Sequence, residues 1–411
     1  MSRDQDEKAF EEWLTSNGCT RRLTLQSFDD TGRGTAATAD IQADEVVLSV
    51  PFHLIMCAEN AQRTALSQII GESEEPFAVI VCMLMLEKVN PDSFWAPFLK
   101  VLPSDFDLPY MWSDEELSLL DDDLLREEAM EMRTFTTDMY DELNSAVFQV
   151  FPDVFCGKMT RKLFEWALDA VRSRGHWLDE ARTRPALIPM ADMMNHPTFP
   201  PKVYKWADYY YDNDKKQFEV YTRIDYRKGE QVWIDYGTKE DGNFILNYGM
   251  VLLNNPYNHA KVTPTDSWLS DVEKLSQKQR FLDRMGLSLD TYKVYNALPP
   301  QELFLAVRVY LMDAPLSLLD KHLFYTLEHE LKVIDAVRGI IERDVESRRT
   351  IEENTRLLDE DSWSEREKKA IWYRRERSKS LKRFVSSLDE LKNLCSTESR
   401  VGPDTFSQIW K

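Results

Sequence analysis

The chain has 411 residues, 43% of them hydrophobic and 30% charged, which is typical of a folded protein with a sizeable core. Its formal net charge of −20 disfavours nucleic acid as a partner, because phosphate-binding surfaces need lysine and arginine. The acidic surface either favours a basic peptide or protein as partner or serves solubility alone. The longest apolar run, near residues 77–86, is far shorter than the roughly 20 residues of a membrane helix, so we expect no membrane span.

Cysteine and histidine usage argues against a metal centre. The five cysteines are odd in number and never spaced as CxxC, which predicts neither a zinc site nor a disulfide framework and favours a reducing compartment. His329 and Glu330 begin like a zinc-binding HExxH segment, but Val333 stands where the second histidine is needed. The first residues hold no apolar signal segment, so we expect a cytoplasmic or nuclear protein rather than a secreted one.

In chain order, the first half of the sequence passes from a helix to strands and then to several helices. Residues 6–17 place their apolar side chains on one helical face, and residues 22–50 read as strands on either side of a glycine turn. From about 62 to 183 the pattern is helical. Helices are predicted over roughly 75–89, in the acidic stretch 113–132, and at 136–148 and 160–174.

Strand patterns return at residues 186–236, where a hairpin turns at 212–215 and an alternating strand runs to Tyr236. Beyond about 258, apolar residues recur at three- and four-residue spacing, which predicts helices to the end of the sequence. The predicted strands therefore form two blocks, with one helical block inserted between them and another following them.

A glycine turn at residues 30–37 is the first of three segments that suit ligand chemistry. Gly32 and Gly34 allow a ligand to approach the backbone more closely than a side chain would permit. Taken alone, this GxG pattern is more typical of an ordinary β-turn.

The other two segments each end a predicted strand in polar or aromatic residues. One strand ends in Asp192, Asn195 and His196, whose groups can donate and accept hydrogen bonds to a ligand or simply close a turn. The next delivers Tyr236 onto a glycine, with Tyr248 on the helical turn that follows. Both tyrosines could equally be core aromatics with a satisfied hydroxyl.

The order of these segments resembles that of the SET domain, in which the Asn-His segment passes through the loop that carries the tyrosine. The resemblance covers about residues 20–390. It is closest to the branch that includes the Rubisco large-subunit lysine methyltransferase and the actin-histidine methyltransferase, which lacks the zinc-binding cysteines of many SET proteins. The matching segments are FWAPFLKVLP at 94–103, ALIPMADMMNH at 186–196, KGEQVWIDYG at 228–237, NFILNYGMVLLNNPYN at 243–258 and IWYRRERSKSLKRFV at 371–385.

The resemblance implies an α+β fold with a SET-domain β-clip core containing a pseudoknot, a helical insert, and an all-α C-terminal domain. It also implies S-adenosylmethionine (SAM) as cofactor, a protein as substrate, and a monomer. The expected domains are an N-terminal helix at 1–21, the first part of the SET core at 22–61, a helical insert at 62–184, the second part of the core at 185–257, and a helical substrate-binding domain at 258–411.

The same resemblance assigns cofactor contacts. Thr31, Gly32 and Arg33 are expected to contact SAM, mostly through their backbone. Arg174 is expected to hold the SAM carboxylate, because a guanidinium fork can make two parallel charge-assisted bonds.

Roles for the remaining polar residues follow from the family pattern as well. Asn195 and His196 are expected to bind the SAM amine and the adenine edge. Asp192 is expected at the cofactor or substrate wall, where Arg174 would also border the substrate. Tyr236 is the expected catalytic residue, in contact with cofactor and substrate at the point of methyl transfer. Tyr248 would line the channel that admits the target side chain.

The implied chemistry suits these residue types. A lysine acceptor must first lose its proton, which at pH 7 costs about 4.6 kcal/mol for a pKa near 10.4. A dry channel beside a positive sulfonium would lower that pKa, so neither a strong base nor a metal is needed. A tyrosine hydroxyl and backbone carbonyls can orient the amine and the methyl group.

Lysine is the expected acceptor, with protein histidine as the alternative. The histidine-directed relative carries Trp just before the Asp of its Asn-His strand, and Asn two positions after the carboxylate-binding Arg. Here Ala191 and His176 hold those positions. A third interpretation is a SET-like scaffold that binds a partner without turnover, which the intact Arg174, Asn195 and Tyr236 disfavour.

Overall fold

The computed structural model describes residues 3–69, 75–155, 157–197, 205–262, 272–287, 292–295, 301–312 and 326–397. The chain divides into two compact units. Unit 1 comprises Met1–Met111, Ala129–Gly237 and Leu246–Gly249, and unit 2 comprises Trp112–Glu128, Thr238–Ile245 and Met250–Lys411. The five-part domain division expected from the sequence stays a prediction. Within the described residues, no helix is long and apolar enough to cross a membrane.

Helices dominate the described chain. They are α1 (Arg3–Ser16), α2 (Ala58–Ala61), α3 (Pro76–Val89), α4 (Ala96–Val101), α5 (Asp114–Ser118), α6 (Asp123–Leu143), α7 (Pro152–Phe155), α8 (Arg161–Arg174), α9 (Asp241–Tyr248), α10 (Val272–Arg284), α11 (Gln301–Leu311), α12 (Leu327–Glu346), α13 (Ile351–Leu358) and α14 (Glu365–Thr397).

The strands are short and lie mainly in unit 1. They are β1 (Thr20–Arg21), β2 (Leu23–Phe28), β3 (Gly32–Ala37), β4 (Val46–Pro51), β5 (Met56–Cys57), β6 (His176–Trp177), β7 (Pro185–Leu187), β8 (Ala207–Asp212), β9 (Gln217–Thr222), β10 (Gln231–Val232), β11 (His259–Val262) and β12 (Tyr292–Tyr295).

Three small antiparallel sheets build unit 1. Two of them join strands from both predicted strand blocks, whereas the third contains β6, which lies within the stretch predicted to be helical and corrects that prediction. The strand orders of the three sheets are β1-β4-β9-β8, β10-β3-β2 and β5-β7-β6. In the second sheet Val232 pairs with Thr35, which brings the segment before Tyr236 beside the glycine turn. One continuous core fills unit 1, from Phe10 of α1 to Ile234. The predicted mixed fold with two strand blocks and an inserted helical block is confirmed.

The hairpin predicted near 212–215 is present as β8 and β9. Asp212 ends β8 and its Oδ1 accepts hydrogen bonds from the backbone N–H groups of Asp214 and Lys215, at 3.0 and 2.9 Å. An aspartate side chain that satisfies its own turn in this way favours a tight reversal.

The helices of the acidic stretch differ from the prediction. Residues 113–132 form two helices rather than one, because α5 ends at Ser118 and Asp121 adopts a left-handed φ of 53°. Asp122 then accepts from the backbone of Leu125 and starts α6. The separate helix predicted at 136–148 is wrong, since α6 runs through to Leu143 and a π-turn follows.

Unit 2 is helical, with one addition that the sequence pattern did not predict. Strands β11 and β12 pair antiparallel, so the described chain beyond residue 258 is not helical throughout. A second core lies among α11, α12 and α14. Within it, Arg308 donates two hydrogen bonds of 2.6 Å to the two carboxylate oxygens of Glu330. Cys19, Cys57, Cys82 and Cys395 are free thiols, and Cys156 lies outside the described residues.

Candidate active site

Helix α8 presents Arg174 as its last residue. Thr160 caps the helix start by accepting from the backbone of Leu163, and the chain leaves the helix at Gly175. A side chain at Gly175 would place its Cβ 2.5 Å from the carbonyl oxygen of Val171, so only glycine fits this exit. The guanidinium of Arg174 donates from Nη1 to the backbone carbonyl of Asp192 at 2.7 Å.

Asp192 lies in a 3₁₀ turn after β7 rather than at the end of a strand, which corrects the sequence prediction. Strand β7 stops at Leu187, and Met190 reverses the chain with a φ of 74°. The Asp192 side chain is fully buried, 3.7 Å from Nη1 of Arg174. Neither of its carboxylate oxygens accepts a well-formed hydrogen bond from a described residue, and only weaker backbone contacts from Met190 and Asp192 itself reach the carboxylate. Burial raises the pKa of Asp192 to about 6, and Arg174 and Arg33 oppose part of that rise.

Arg33, on β3, is a second cation of the same cluster. Its guanidinium contacts the carbonyl of Val101, the Met193 sulfur at 3.4 Å and the Glu7 carboxylate of α1 at 3.5 Å. Burial lowers the pKa of Arg33, and repulsion by Arg174 lowers it further. No local pattern pointed to Glu7, because the contact joins α1 to β3, 26 positions later in the chain.

The partly buried cluster of Arg33, Arg174 and Asp192 lacks some of the hydrogen bonds that its groups can form. Nε of Arg174 also has no hydrogen-bond partner among the described residues. Buried polar groups are nearly always paired, so unpaired ones point to a missing ligand or solvent. An unpaired N–H on a cation suits a carboxylate, and unpaired carboxylate oxygens suit an ammonium group. The cluster therefore fits both charged ends of an amino acid.

Two segments distant in sequence run together beside this cluster. The backbone N–H of Ile234 donates to the Asn195 carbonyl at 3.0 Å, and that of Tyr236 donates to Nδ1 of His196 at 3.2 Å. The Tyr236 hydroxyl donates to the carbonyl of Met194 at 3.0 Å. The prediction that the strand reaches Tyr236 is wrong, because β10 ends at Val232. The hydrogen bonds to the 194–196 segment hold the next four residues instead.

Tyr236 stacks on Tyr248. Their ring centroids are 5.0 Å apart and the planes are inclined by 24°. Burial raises the pKa of both hydroxyls, and each is therefore a neutral phenol at pH 7. Charges on Arg174 and Asp192 also act on the Tyr236 hydroxyl, in opposite directions. The structure thus brings the predicted tyrosine pair to the partly buried charged cluster.

The glycine turn lies against the same segment. The side-chain amide of Asn195 donates to the Arg33 carbonyl at 3.1 Å. Gly34 is required here, since a Cβ would meet Gln231 Nε2 at 2.5 Å and Asn195 Nδ2 at 2.7 Å.

Gln231 is a residue that sequence reasoning missed. Its Oε1 accepts from the Thr31 hydroxyl at 2.9 Å, so the Thr31 side chain is engaged across the sheet. Gly32 is exposed at the hairpin tip with a φ of 67°. A buried glutamine in an alternating strand carries no motif, and only the three-dimensional pairing reveals it.

His176 lies on β6, two residues beyond Arg174. Its ring packs edge-on against Tyr209 and Phe218, at centroid distances of 5.4 and 5.8 Å. Nδ1 lies 3.1 Å from the Arg174 carbonyl. Burial lowers the pKa of His176 to about 4, which keeps the ring neutral at pH 7.

Comparison with known proteins gives a family match. The SET domain model matches residues 32–237, which span the glycine turn, the helical insert and Tyr236. Actin-histidine N-methyltransferase of Gallus gallus is 26% identical over 317 residues, covering 73% of this chain and 52% of the relative. The Xenopus tropicalis protein of that name is 24% identical over 425 residues, covering 95% and 71%. The chain thus spans about half the length of the first of these curated relatives.

Solved structures give the same fold. The SET domain of LSMT bound to lysine and AdoHcy superposes with a TM-score of 0.75 at 19% identity, covering 100% of this chain and 96% of that one. Rubisco LSMT bound to AdoMet superposes with a TM-score of 0.72 at 20% identity, covering 98% and 96%. The mixed fold of this chain and the helical region that follows it are therefore shared with these structures.

Proposed function

Because this chain belongs to the SET-domain family, we propose that it transfers a methyl group from SAM to a side-chain nitrogen of another protein. The observation that carries the proposal is the buried, unsatisfied pair formed by Arg174 Nε and the Asp192 carboxylate. SAM carries a carboxylate and an ammonium on one carbon, which are the two groups that this pair lacks. Tyr236 would contact the reacting atoms, since the charges of Arg174 and Asp192 both act on its hydroxyl.

Each predicted cofactor residue has a role consistent with its contacts. Arg174 would bind the carboxylate through its free N–H, and Asp192 would accept from the ammonium. Asn195 and His196 would meet the adenine end, in part through main chain, because their side chains already hold Arg33 and Tyr236. Thr31 and Gly32 would contribute backbone groups from the turn.

SAM supplies an electrophilic methyl group on a positively charged sulfur. The Tyr236 hydroxyl donates its proton to the Met194 carbonyl, and a phenol oxygen is also able to accept from a C–H or N–H group. Its neutral state at pH 7 follows from the raised pKa. Tyr248 would form one wall of the acceptor channel and exclude water from the reacting nitrogen.

Two acceptors are proposed. Histidine is supported by the relatives named actin-histidine N-methyltransferase, two of which cover 73% and 95% of this chain. It replaces lysine as the first candidate. Lysine is supported by His176 and Ala191, which stand where the histidine-directed pattern has Asn and Trp. A monomeric state, a basic region in the substrate and a cytoplasmic or nuclear location stay predictions.

Labelled methyl transfer into a cell lysate tests the activity. The wild-type chain should label protein, and mass spectrometry of the labelled band should identify a methylated histidine or lysine. Tyr236→Phe removes one hydroxyl at the reacting atoms and should lower the rate about 100-fold.

Tyr140→Phe is the matched control, because Tyr140 also donates to a backbone carbonyl in unit 1, at 3.1 Å. It should label at the wild-type rate. If wild type and Tyr236→Phe label equally, the catalytic role is wrong. If neither labels while a partner is still retained, the scaffold interpretation replaces the enzyme.

A further inference from the structure

Unit 1 carries a concave feature that we call the aromatic groove. It has a volume of about 380 Å³, within the range of roughly 300–1,000 Å³ seen for ligand pockets. None of Arg174, Asp192 and Tyr236 lines it. Its walls are the half-buried side chains of Phe28, Ile224, Trp206 and Trp233, and its rim carries the exposed Asp225 and Glu230.

The two tryptophans are held in place by their backbone. Asp235 accepts from the backbone N–H groups of Trp206 and Ala207, at 2.7 and 3.2 Å. The backbone N–H of Trp233 donates to the Tyr226 hydroxyl at 3.3 Å. The indole rings lie 6.3 Å apart and are inclined by 60°, so they form two sides of an open cleft.

Both rim carboxylates accept hydrogen bonds from backbone N–H groups. Asp225 accepts from the backbone of Ala43 at 2.8 Å, and Glu230 accepts from the backbone of Arg227 at 2.7 Å. Within the described ranges, no lysine, arginine or histidine lies within ion-pair distance of either carboxylate. Their negative charge is therefore directed at solvent beside three aromatic rings.

We propose that the aromatic groove is a docking site for a lysine or arginine side chain in an extended basic segment of a partner protein. Aromatic faces attract a cation, and tryptophan does so most strongly. The negative charges of the rim carboxylates and of the whole chain, −20 in total, also attract a cationic side chain. The groove works by binding alone, so it does not depend on the proposed methyl transfer.

Fluorescence anisotropy of a labelled GRGKGRG peptide, measured on the full chain without SAM, tests the site. Trp206→Ala removes one aromatic wall and should weaken binding about fivefold. Asp225→Asn with Glu230→Gln removes both negative charges. Each new amide keeps an oxygen that can still accept from the backbone of Ala43 or Arg227. This double variant should weaken binding about three- to tenfold, with a smaller effect in high salt.

Matched controls separate the groove from general acidity. Phe135→Ala removes an aromatic ring that is 54% exposed elsewhere on unit 1. Glu131→Gln with Asp138→Asn removes two exposed charges from α6. Neither control should change the affinity, and a peptide with glutamate at each basic position should not bind. Melting temperatures of all variants report folding; if Trp206→Ala unfolds, the charge variant decides.

Three results would overturn the proposal. The groove variants could bind the basic peptide as tightly as wild type, or the α6 controls could weaken binding equally. The third is self-association of the chain that Trp206→Ala abolishes in sedimentation, which would make a second copy the occupant. Failure here leaves the methyltransferase proposal standing, because none of these substitutions touches Arg174, Asp192 or Tyr236.

Discussion

Two arginine–carboxylate pairs, a buried one in unit 2 and a partly buried one in unit 1, are built in opposite ways. In unit 2, Arg308 and Glu330 form a bidentate pair with both hydrogen bonds at 2.6 Å. In unit 1, Arg174 and Asp192 approach only to 3.7 Å, and the carboxylate accepts no well-formed hydrogen bond from a described residue. The first pair is complete within the protein, whereas the second has bonding capacity left over.

The difference separates a structural ion pair from a binding site. Moving a charged group out of water costs much free energy. Only close and complete hydrogen bonding compensates for that desolvation cost. Arg308 and Glu330 meet that condition and need no ligand. Arg174 and Asp192 do not, and the raised pKa of Asp192 records the deficit. The open pair in unit 1 supports the proposal that it binds a ligand carrying both charges.

The largest expected effect is on the complete pair. Arg308→Met leaves the Glu330 carboxylate buried without a partner and should lower the free energy of unfolding by about 3–5 kcal/mol. Chemical denaturation measures this. Arg338→Met, which breaks half-exposed pairs with Glu342 of α12 and Asp389 of α14, is the control and should cost about 0.5–1 kcal/mol. A loss below 1 kcal/mol for Arg308→Met would remove the contrast between the two pairs.

Asp192→Asn should act in the opposite direction. Since burial raises the folded-state pKa from 3.8 to about 6, the folded protein binds more protons than the unfolded chain between those values. Ionised Asp192 therefore destabilises the fold as pH rises through that window. Replacing it should raise the free energy of unfolding by at most about 3 kcal/mol at pH 7, and by little at pH 4.

Denaturation of both proteins from pH 4 to 8 measures that gain. The stability difference between Asp192→Asn and wild type should grow up to about pH 6 and then level off. A difference that is constant with pH, or a variant less stable than wild type at pH 7, would show that the carboxylate is satisfied after all.

The smallest effect concerns the turn beside the cluster. Gly34→Ala should push the Gln231 and Asn195 amides aside and cost about 1–2 kcal/mol of unfolding free energy. Gly339→Ala is the control, since its nearest atom is the flexible end of Arg343 at 3.4 Å and its helix favours alanine. That variant should gain up to about 1 kcal/mol. Equal effects at the two glycines would contradict the packing described.

Local patterns predicted much of this molecule. The strand blocks, the inserted helices, α8 with Arg174 at its end, and the hairpin at 212–217 follow from periodicity, caps and turn residues. The proximity of Asn195, His196 and Tyr236 was predicted from the resemblance to the SET domain, in which the Asn-His segment passes through the loop that carries the tyrosine. Each of these features is written into a short stretch of sequence.

What the sequence did not predict depends on distant partners. Glu7 reaches Arg33 from the first helix, and Gln231 meets Thr31 across 200 positions. Strands β11 and β12 are four residues each, too short for alternation to distinguish them from the helices around them. The sequence does not reveal that Arg174 and Asp192 have polar atoms without hydrogen-bond partners, because pairing depends on how distant segments pack together.

Calorimetric titration of SAM into wild type and Arg174→Met tests the central claim most directly. Wild type should bind one SAM per chain, and Arg174→Met should bind about 100-fold more weakly, since a charge-assisted hydrogen bond to the SAM carboxylate is lost. Arg161→Met, at the exposed start of the same helix, should bind as wild type does. Equal affinity of wild type and Arg174→Met, or no binding to the folded wild type, would contradict the account.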